Sequence, residues 1–203
     1  MKKRSWIVFW LAAFLAGLSG QTTAFGQDVV NNLSSKDTKA TECNPPQWCQ
    51  FTNAVYDIDS TDTLTVGRLG HNSSESPQTF TLYDDGTWDL YDGTYHYTGT
   101  YALVKNGKQI ALTLDANGLA AVQSNQVDNI QNLAADKGVS LDNLLVTVQS
   151  VKITNITMKN GVPYQSTSTV KGNASATVNG KFYSVSFTQK SVKTNWTLDP
   201  GGN

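Results

Sequence analysis

The stretch Phe80–Leu114, FTLYDDGTWDLYDGTYHYTGTYALVKNGKQIALTL, decides the fold of this chain. It contains three turn signals, at Asp84-Asp85-Gly86, Asp92-Gly93 and Asn106-Gly107, and residues of these types adopt positive φ at low cost. Closing each turn at its natural length places the same apolar row on one face of every strand. The stretch therefore predicts a meandering antiparallel β-sheet.

The turn lengths also predict the strand pairing. Gly86 closes a three-residue loop, and the other two signals close two-residue turns. The expected pairs are Leu82 with Trp88, Phe80 with Leu90, Leu90 with Tyr95, Trp88 with Tyr97, Leu103 with Ile110, Tyr101 with Leu112 and Gly99 with Leu114. A slip of one residue anywhere would move this row to the solvent face.

A further turn signal at Asn179-Gly180 predicts a hairpin near the end of the chain. Its expected pairs, which oppose small and large residues, are Ala176 with Tyr183, Ala174 with Val185 and Gly172 with Phe187. At Asn160-Gly161 we expect instead a five-residue loop over 159–163, because it opposes Met158 with Tyr164 and keeps Pro163 off the ladder.

The remaining segments complete the set of elements. Apolar residues recur near helical spacing over 117–137, and Gly138 is a plausible C-cap, so one amphipathic helix is expected there. A second β region begins near Ser140 and Asp142. Before the meander we expect strands over 51–58 and 63–69, separated by residues 59–62, and a loop over 71–77.

These elements predict a mainly β domain of eight or nine antiparallel strands with one inserted helix. A long meander with bends at Gly99 and Gly172 tends to close into a barrel, which removes exposed edges. The alternative is a two-sheet sandwich with a helix across one end. An outer-membrane barrel is disfavoured, because the outward row is Thr, Ser, Asn, Asp and Lys rather than apolar.

The N-terminal segment has the pattern of a secretory signal peptide. A basic start at Lys2-Lys3-Arg4 precedes the apolar run Trp6–Leu18, and Ala24-Phe25-Gly26 offers a cleavage site. We assign residues 1–26 to this leader, with a membrane anchor as the alternative, 27–42 to a flexible lead-in and 43–203 to a single β-barrel-like domain. We therefore expect export to the periplasm or beyond, and no membrane insertion after cleavage.

Charge and cysteine content narrow the function classes. Without the leader the chain carries 12 basic and 16 acidic residues, a net charge of −4, which argues against nucleic-acid binding. In an exported protein Cys43 and Cys49 predict a local disulfide. A redox or metal pair is disfavoured, because the five intervening residues do not match Cys-x-x-Cys spacing.

The order Gly86-Thr87-Trp88, then Gly99-Thr100-Tyr101, then Ile110-x-Leu112, resembles the lipocalin-like (calycin) domains of exported bacterial proteins. The match covers about 35 of the 177 residues that follow the leader. The usual lipocalin Gly-x-Trp lies in the first strand, and the helix of this chain is in the middle rather than near the end. The resemblance implies a cup-shaped barrel for a small apolar ligand and transfers no catalytic residue.

A pocket for a flat or apolar ligand requires large amphipathic side chains on the inner face. The residues expected there are Trp88, Tyr95, Tyr97, Tyr101, Tyr183 and Phe187, with plain core packing as the alternative role. His96, expected directly opposite Asp89, is a weak candidate for acid–base chemistry. Asp84, Asp85, Asp89 and Asp92 are explained as turn and surface residues rather than as a calcium site.

These observations predict a non-enzymatic exported protein that binds a small apolar or aromatic molecule, with no cofactor. The second hypothesis is a protein-interaction module, such as an adhesin or an enzyme inhibitor. Its expected contact surface is the Cys43–Cys49 loop with Trp48. A hydrolase or isomerase built around His96 is the third and least favoured hypothesis.

Overall fold

A computed structural model describes residues 54–199 of the chain. Within that range the chain forms nine strands and one helix. In chain order they are β1 (Ala54–Val66), β2 (Gly70–Leu82), β3 (Thr87–Tyr91), β4 (His96–Val104), β5 (Gln109–Leu114), α1 (Ala116–Asp136), β6 (Asp142–Ile153), β7 (Ile156–Lys159), β8 (Val162–Val178) and β9 (Lys181–Leu198).

The strands close into an antiparallel barrel. Following hydrogen-bonded neighbours gives the order β8-β7-β5-β4-β3-β2-β1-β9, and β9 pairs back onto β8 to complete the ring. The ninth strand, β6, pairs with the same edge of β8 as β7 does, farther along that strand. The predicted barrel with one inserted helix is confirmed, and the sandwich alternative is wrong.

The predicted meander is confirmed except at one turn. Leu82 pairs with Trp88 and Gly99 pairs with Leu114, as expected. Leu90, however, pairs with Tyr97 rather than Tyr95. The connection is a four-residue loop, because the Asp92 carboxylate accepts hydrogen bonds from the backbone N–H groups of Thr94 and Tyr95. The two-residue shift preserves the face, so the buried row is unchanged.

The prediction before the meander was wrong. Residues 59–62 do not interrupt a strand pair but lie within β1, and residues 71–77 form the first half of β2 rather than a loop. The tight turn between the two strands lies at Gly67–Leu69 instead. The 71–77 segment has no aliphatic side chain and ends in Pro77, a composition that suggests a loop, yet its backbone pairs with β1 along its whole length.

The two hairpins of the second half differ in outcome. The Asn179-Gly180 turn is confirmed, with Gly172 opposite Phe187. At Asn160-Gly161 the predicted five-residue loop was wrong, because Met158 pairs with Pro163 across a two-residue turn. A β-bulge after Thr157 leaves one residue of β8 unpaired, and the regular pairing continues beyond it. The prediction assumed a constant register and therefore excluded this arrangement.

Helix α1 begins and ends where its capping residues dictate. The Asp115 side chain accepts the Gly118 N–H at 2.7 Å, which satisfies one of the free donors of the first turn. Gly138, at φ +67°, follows the last turn, as the sequence predicts. Within residues 54–199 no helix has both the length and the apolarity needed to cross a membrane.

The helix packs against β4 and β6 and fills a gap in the wall of the barrel. The edge of β6 that faces away from β8 has no strand partner among residues 54–199. Gln123 supplies one instead: its Nε2 donates to the Val146 carbonyl oxygen at 2.6 Å, and its Oε1 accepts the Val148 N–H at 3.2 Å. A side-chain amide thus makes the two hydrogen bonds that a neighbouring strand would make.

Replacing Gly118 with Ala should destabilise the protein, although Ala favours helix by about 1 kcal/mol. A β-carbon there would lie 2.2 Å from the Thr98 carbonyl oxygen of β4. We expect the free energy of unfolding in urea to fall by about 1–3 kcal/mol. Asn117→Ala, at an exposed position of the same turn, should change it by less than about 0.5 kcal/mol. Equal stability of Gly118→Ala and the wild type would contradict this seating of the helix.

Candidate functional site

A cavity of about 300 Å³ lies inside the barrel. Its wall is formed by residues of α1, of the β3–β4 loop and of every strand except β7. Aromatic side chains and polar side chains occupy different parts of this wall. The cavity therefore offers two chemically distinct environments.

The apolar part of the wall is a contiguous aromatic cluster of Phe80, Trp88 and Trp196. The Phe80 ring lies 5.8 Å from Trp88, nearly parallel, and 5.3 Å from Trp196, edge to face. The Trp88 indole N–H donates to the Thr100 carbonyl oxygen at 3.0 Å, which fixes the ring. A rigid aromatic surface of this kind suits a flat or apolar ligand.

The polar part is a belt of mainly serine side chains across β2, β1, β9 and β8, and all of its members except Ser60 line the cavity. Strand register places its members in two adjacent rows. One row is Ser74, Asp62, Ser191 and Ser168, and the other is Ser76, Ser60, Lys193 and Ser166. Along β2 the inward positions then continue to Gln78 and Phe80, so the wall changes from polar to aromatic along the strand. We call the eight residues of the two rows the seryl belt.

Lys193 is the cation of the seryl belt. Its half-buried side chain lines the cavity and makes no hydrogen bond or ion pair with any residue of the described range. Burial lowers the pKa of Lys193, against the opposing effect of the Asp62 and Asp92 carboxylates. A cation thus faces the cavity without a direct partner.

Opposite the belt, a hydrogen-bonded chain joins the β3–β4 loop, β4 and the helix. The buried Tyr97 hydroxyl donates to Asp92 Oδ2 at 2.6 Å and accepts a hydrogen bond from Asn125 Nδ2 at 2.6 Å. Tyr95 donates in the same way to Asp128 of the helix. Burial, together with the bond to Asp92, raises the pKa of the Tyr97 hydroxyl above its usual value.

Three buried polar atoms on the cavity wall have no hydrogen-bond partner. They are Gln78 Oε1, Gln126 Oε1 and Trp196 Nε1. The Gln126 amide is held in place because its Nε2 donates to Gln189 Oε1 across the interior. Buried polar atoms in native proteins are nearly always hydrogen-bonded, so these three groups are exceptions close to the cavity.

The predicted ligand-binding residues fall into two groups. Trp88, Tyr95 and Tyr97 line the cavity. Phe187, Tyr101 and Tyr183 do not line it. Phe187 is buried in the core beside Gly172, and Tyr183 is 48% exposed at a hairpin end. The Tyr101 hydroxyl donates a hydrogen bond to the Tyr83 carbonyl oxygen. Cys43, Cys49 and Trp48 lie outside the described residues.

The His96 pair is exposed and lies away from the cavity. Asp89 pairs with Thr98 rather than His96, which corrects the expected register, although His96 Nδ1 lies 2.9 Å from Asp89 Oδ2 diagonally. The His96 ring stacks on Tyr91 at 4.6 Å. Within the described range no group of three acidic, His or Cys side chains is arranged to hold a metal ion.

Comparison with protein-family models and with curated protein sequences finds no match for this chain. The site is therefore interpreted from its own geometry.

Sequence reasoning missed Lys193, Trp196, Gln78 and Gln126. The inward position of Lys193 could have been predicted from the sequence. The inward row predicted at Tyr183 and Phe187 continues by alternation to Gln189, Ser191 and Lys193. No such pattern predicts the inward position of Trp196. A β-bulge opposite Ile58, with Asn195 at φ +54°, shifts the alternation by one residue and turns Trp196 inward.

Replacing Lys193 with Met, which is similar in shape but uncharged, should raise the free energy of unfolding at pH 7. Folding removes water from the ammonium without supplying a partner, so the charge opposes folding. The pKa of Lys193 is below 10.5 in the folded protein and near 10.5 in the unfolded chain. Between these two values the unfolded chain binds more protons than the folded protein does, so stability rises with pH. Wild-type stability should therefore rise relative to Lys193→Met as the pH approaches 10.5.

Urea unfolding between pH 7 and pH 10 measures this difference. Lys190→Met is the matched control, because Lys190 lies on the outer face of the same strand and is exposed. A Lys193→Met variant less stable than the wild type at pH 7 would mean that the ammonium makes a stabilising contact, contrary to the geometry described.

Proposed function

We propose that this chain is an exported, non-enzymatic binding protein with a lipocalin-like barrel that holds a small apolar or aromatic molecule. The observation that carries the proposal is the cavity of about 300 Å³ bordered by the Phe80, Trp88 and Trp196 rings. Small-molecule sites range from roughly 300 to 1,000 Å³ and combine apolar walls with a few polar groups. The cavity meets both criteria.

The proposal gives His96 no role because of its position. Its ring is on the outer face, and its pairing with Asp89 is explained as a surface contact between neighbouring strands. Export and the Cys43–Cys49 disulfide remain predictions from the sequence. The same holds for partner capture through Trp48, the second candidate function.

Titration with N-phenyl-1-naphthylamine, a neutral dye that fluoresces in apolar surroundings, tests the proposal. The full-length protein should bind one dye molecule per chain. Ser76→Trp should weaken binding at least about tenfold, because the indole would project into the cavity from an inward position of β2. Glu75→Trp adds the same side chain at an exposed neighbouring position and should leave binding unchanged.

Equal dye affinity of Ser76→Trp and Glu75→Trp would place the bound dye outside the barrel and contradict the proposal. So would the absence of binding by the wild type. Far-ultraviolet circular dichroism of both variants verifies that the barrel is intact.

A further inference from the structure

The charged groups of the cavity differ in how they are satisfied. The wall contains three carboxylates, Asp62, Asp92 and Asp128, and the Lys193 ammonium. Each carboxylate accepts a hydrogen bond from a hydroxyl of the protein: Ser60 Oγ donates to Asp62 at 3.1 Å, Tyr97 to Asp92 and Tyr95 to Asp128. Lys193 has no such partner among residues 54–199. Of these four charged groups, Lys193 is therefore the one to which an anionic group of a ligand would supply a missing partner.

The neighbours of Lys193 are also hydrogen-bond donors. Register places Ser166 of β8 directly across from it, with Ser168 and Ser191 in the adjacent row. These three serine side chains make no hydrogen bond to the rest of the described chain, and the Asp62 and Asp92 carboxylates act on Lys193 without forming an ion pair with it. An ammonium with free hydroxyl donors beside it is a suitable environment for anionic oxygen.

We propose that the ligand of this cavity is an organic acid whose anionic oxygen group pairs with the Lys193 ammonium within the seryl belt while its apolar body lies against Phe80, Trp88 and Trp196. The inference rests on the proposed function and specifies its ligand class. The two parts of the ligand match the two parts of the wall. Burying the ion pair in the barrel makes the charge worth more than it would be on the surface.

Two dyes with the same ring system separate the anionic contact from the apolar one. 8-Anilinonaphthalene-1-sulfonate and N-phenyl-1-naphthylamine share the naphthyl, phenyl and N–H groups and differ in the sulfonate. We expect the wild type to bind the sulfonate dye more tightly, and the sulfonate dye to displace the neutral one. Lys193→Met should weaken the sulfonate dye by about tenfold or more and leave the neutral dye within about twofold.

Two further variants complete the design. Lys193→Arg keeps the charge and should retain the preference for the sulfonate dye, and Lys190→Met, on the outer face, should behave as the wild type. Unchanged sulfonate affinity in Lys193→Met, or equal loss of both dyes, would overturn the organic-acid inference. Failure of the wild type to bind the neutral dye would instead contradict the proposed function, so the two failures are distinguishable.

Discussion

The wall of the barrel beside β6 depends on the contact between the Gln123 amide and the free edge of that strand. A closed antiparallel barrel normally satisfies every strand edge with another strand. Here the wall between β6 and the end of β5 is not bridged by a strand, and the helix takes that place. Gln123 satisfies one carbonyl and one N–H of β6, so the edge is closed without β-pairing.

The helix also brings polar side chains to the interior. A strand would present one inward residue in every two, whereas the helix presents Asn125, Gln126 and Asn129 to the inside. Gln126 and Asn129 both donate to Gln189 of β9, which ties the helix to the opposite wall. These hydrogen bonds span the interior from the helix to β9, and the cavity lies beside them. The helix therefore contributes part of the cavity wall, while the ring itself is completed by strand pairing.

Much of the fold follows from the sequence because local turn chemistry and alternation agree. Leu90 pairs with Tyr97 instead of the predicted Tyr95, a register shift of two residues. A shift of two residues keeps every side chain on the same face of the sheet, so the predicted core is unchanged. The errors at 71–77 and at Asn160-Gly161 have other causes. The first half of β2 has no aliphatic side chain and so carries no periodic signal, and a β-bulge changes the register at a position that composition does not mark.

The site was less predictable than the fold for a physical reason. Trp88, Tyr95 and Tyr97 were identified because large aromatic residues on an inward row are conspicuous. Gln123, Gln126 and Lys193 act through buried polar contacts, or through the lack of one, and these depend on elements that meet only in the folded barrel. Polar residues on a helix or a surface strand are ordinarily solvated, so the sequence favours that interpretation.

Amide hydrogen exchange of Val148 tests most directly whether the helix covers the free edge of β6. In the wild type the Val148 N–H should be protected, because Gln123 Oε1 accepts it on an edge that has no strand partner in the described range. In Gln123→Ala its exchange should accelerate by about tenfold or more, while amides of the β1–β2 ladder keep their wild-type rates. Equally slow exchange of Val148 in both proteins would contradict closure by Gln123.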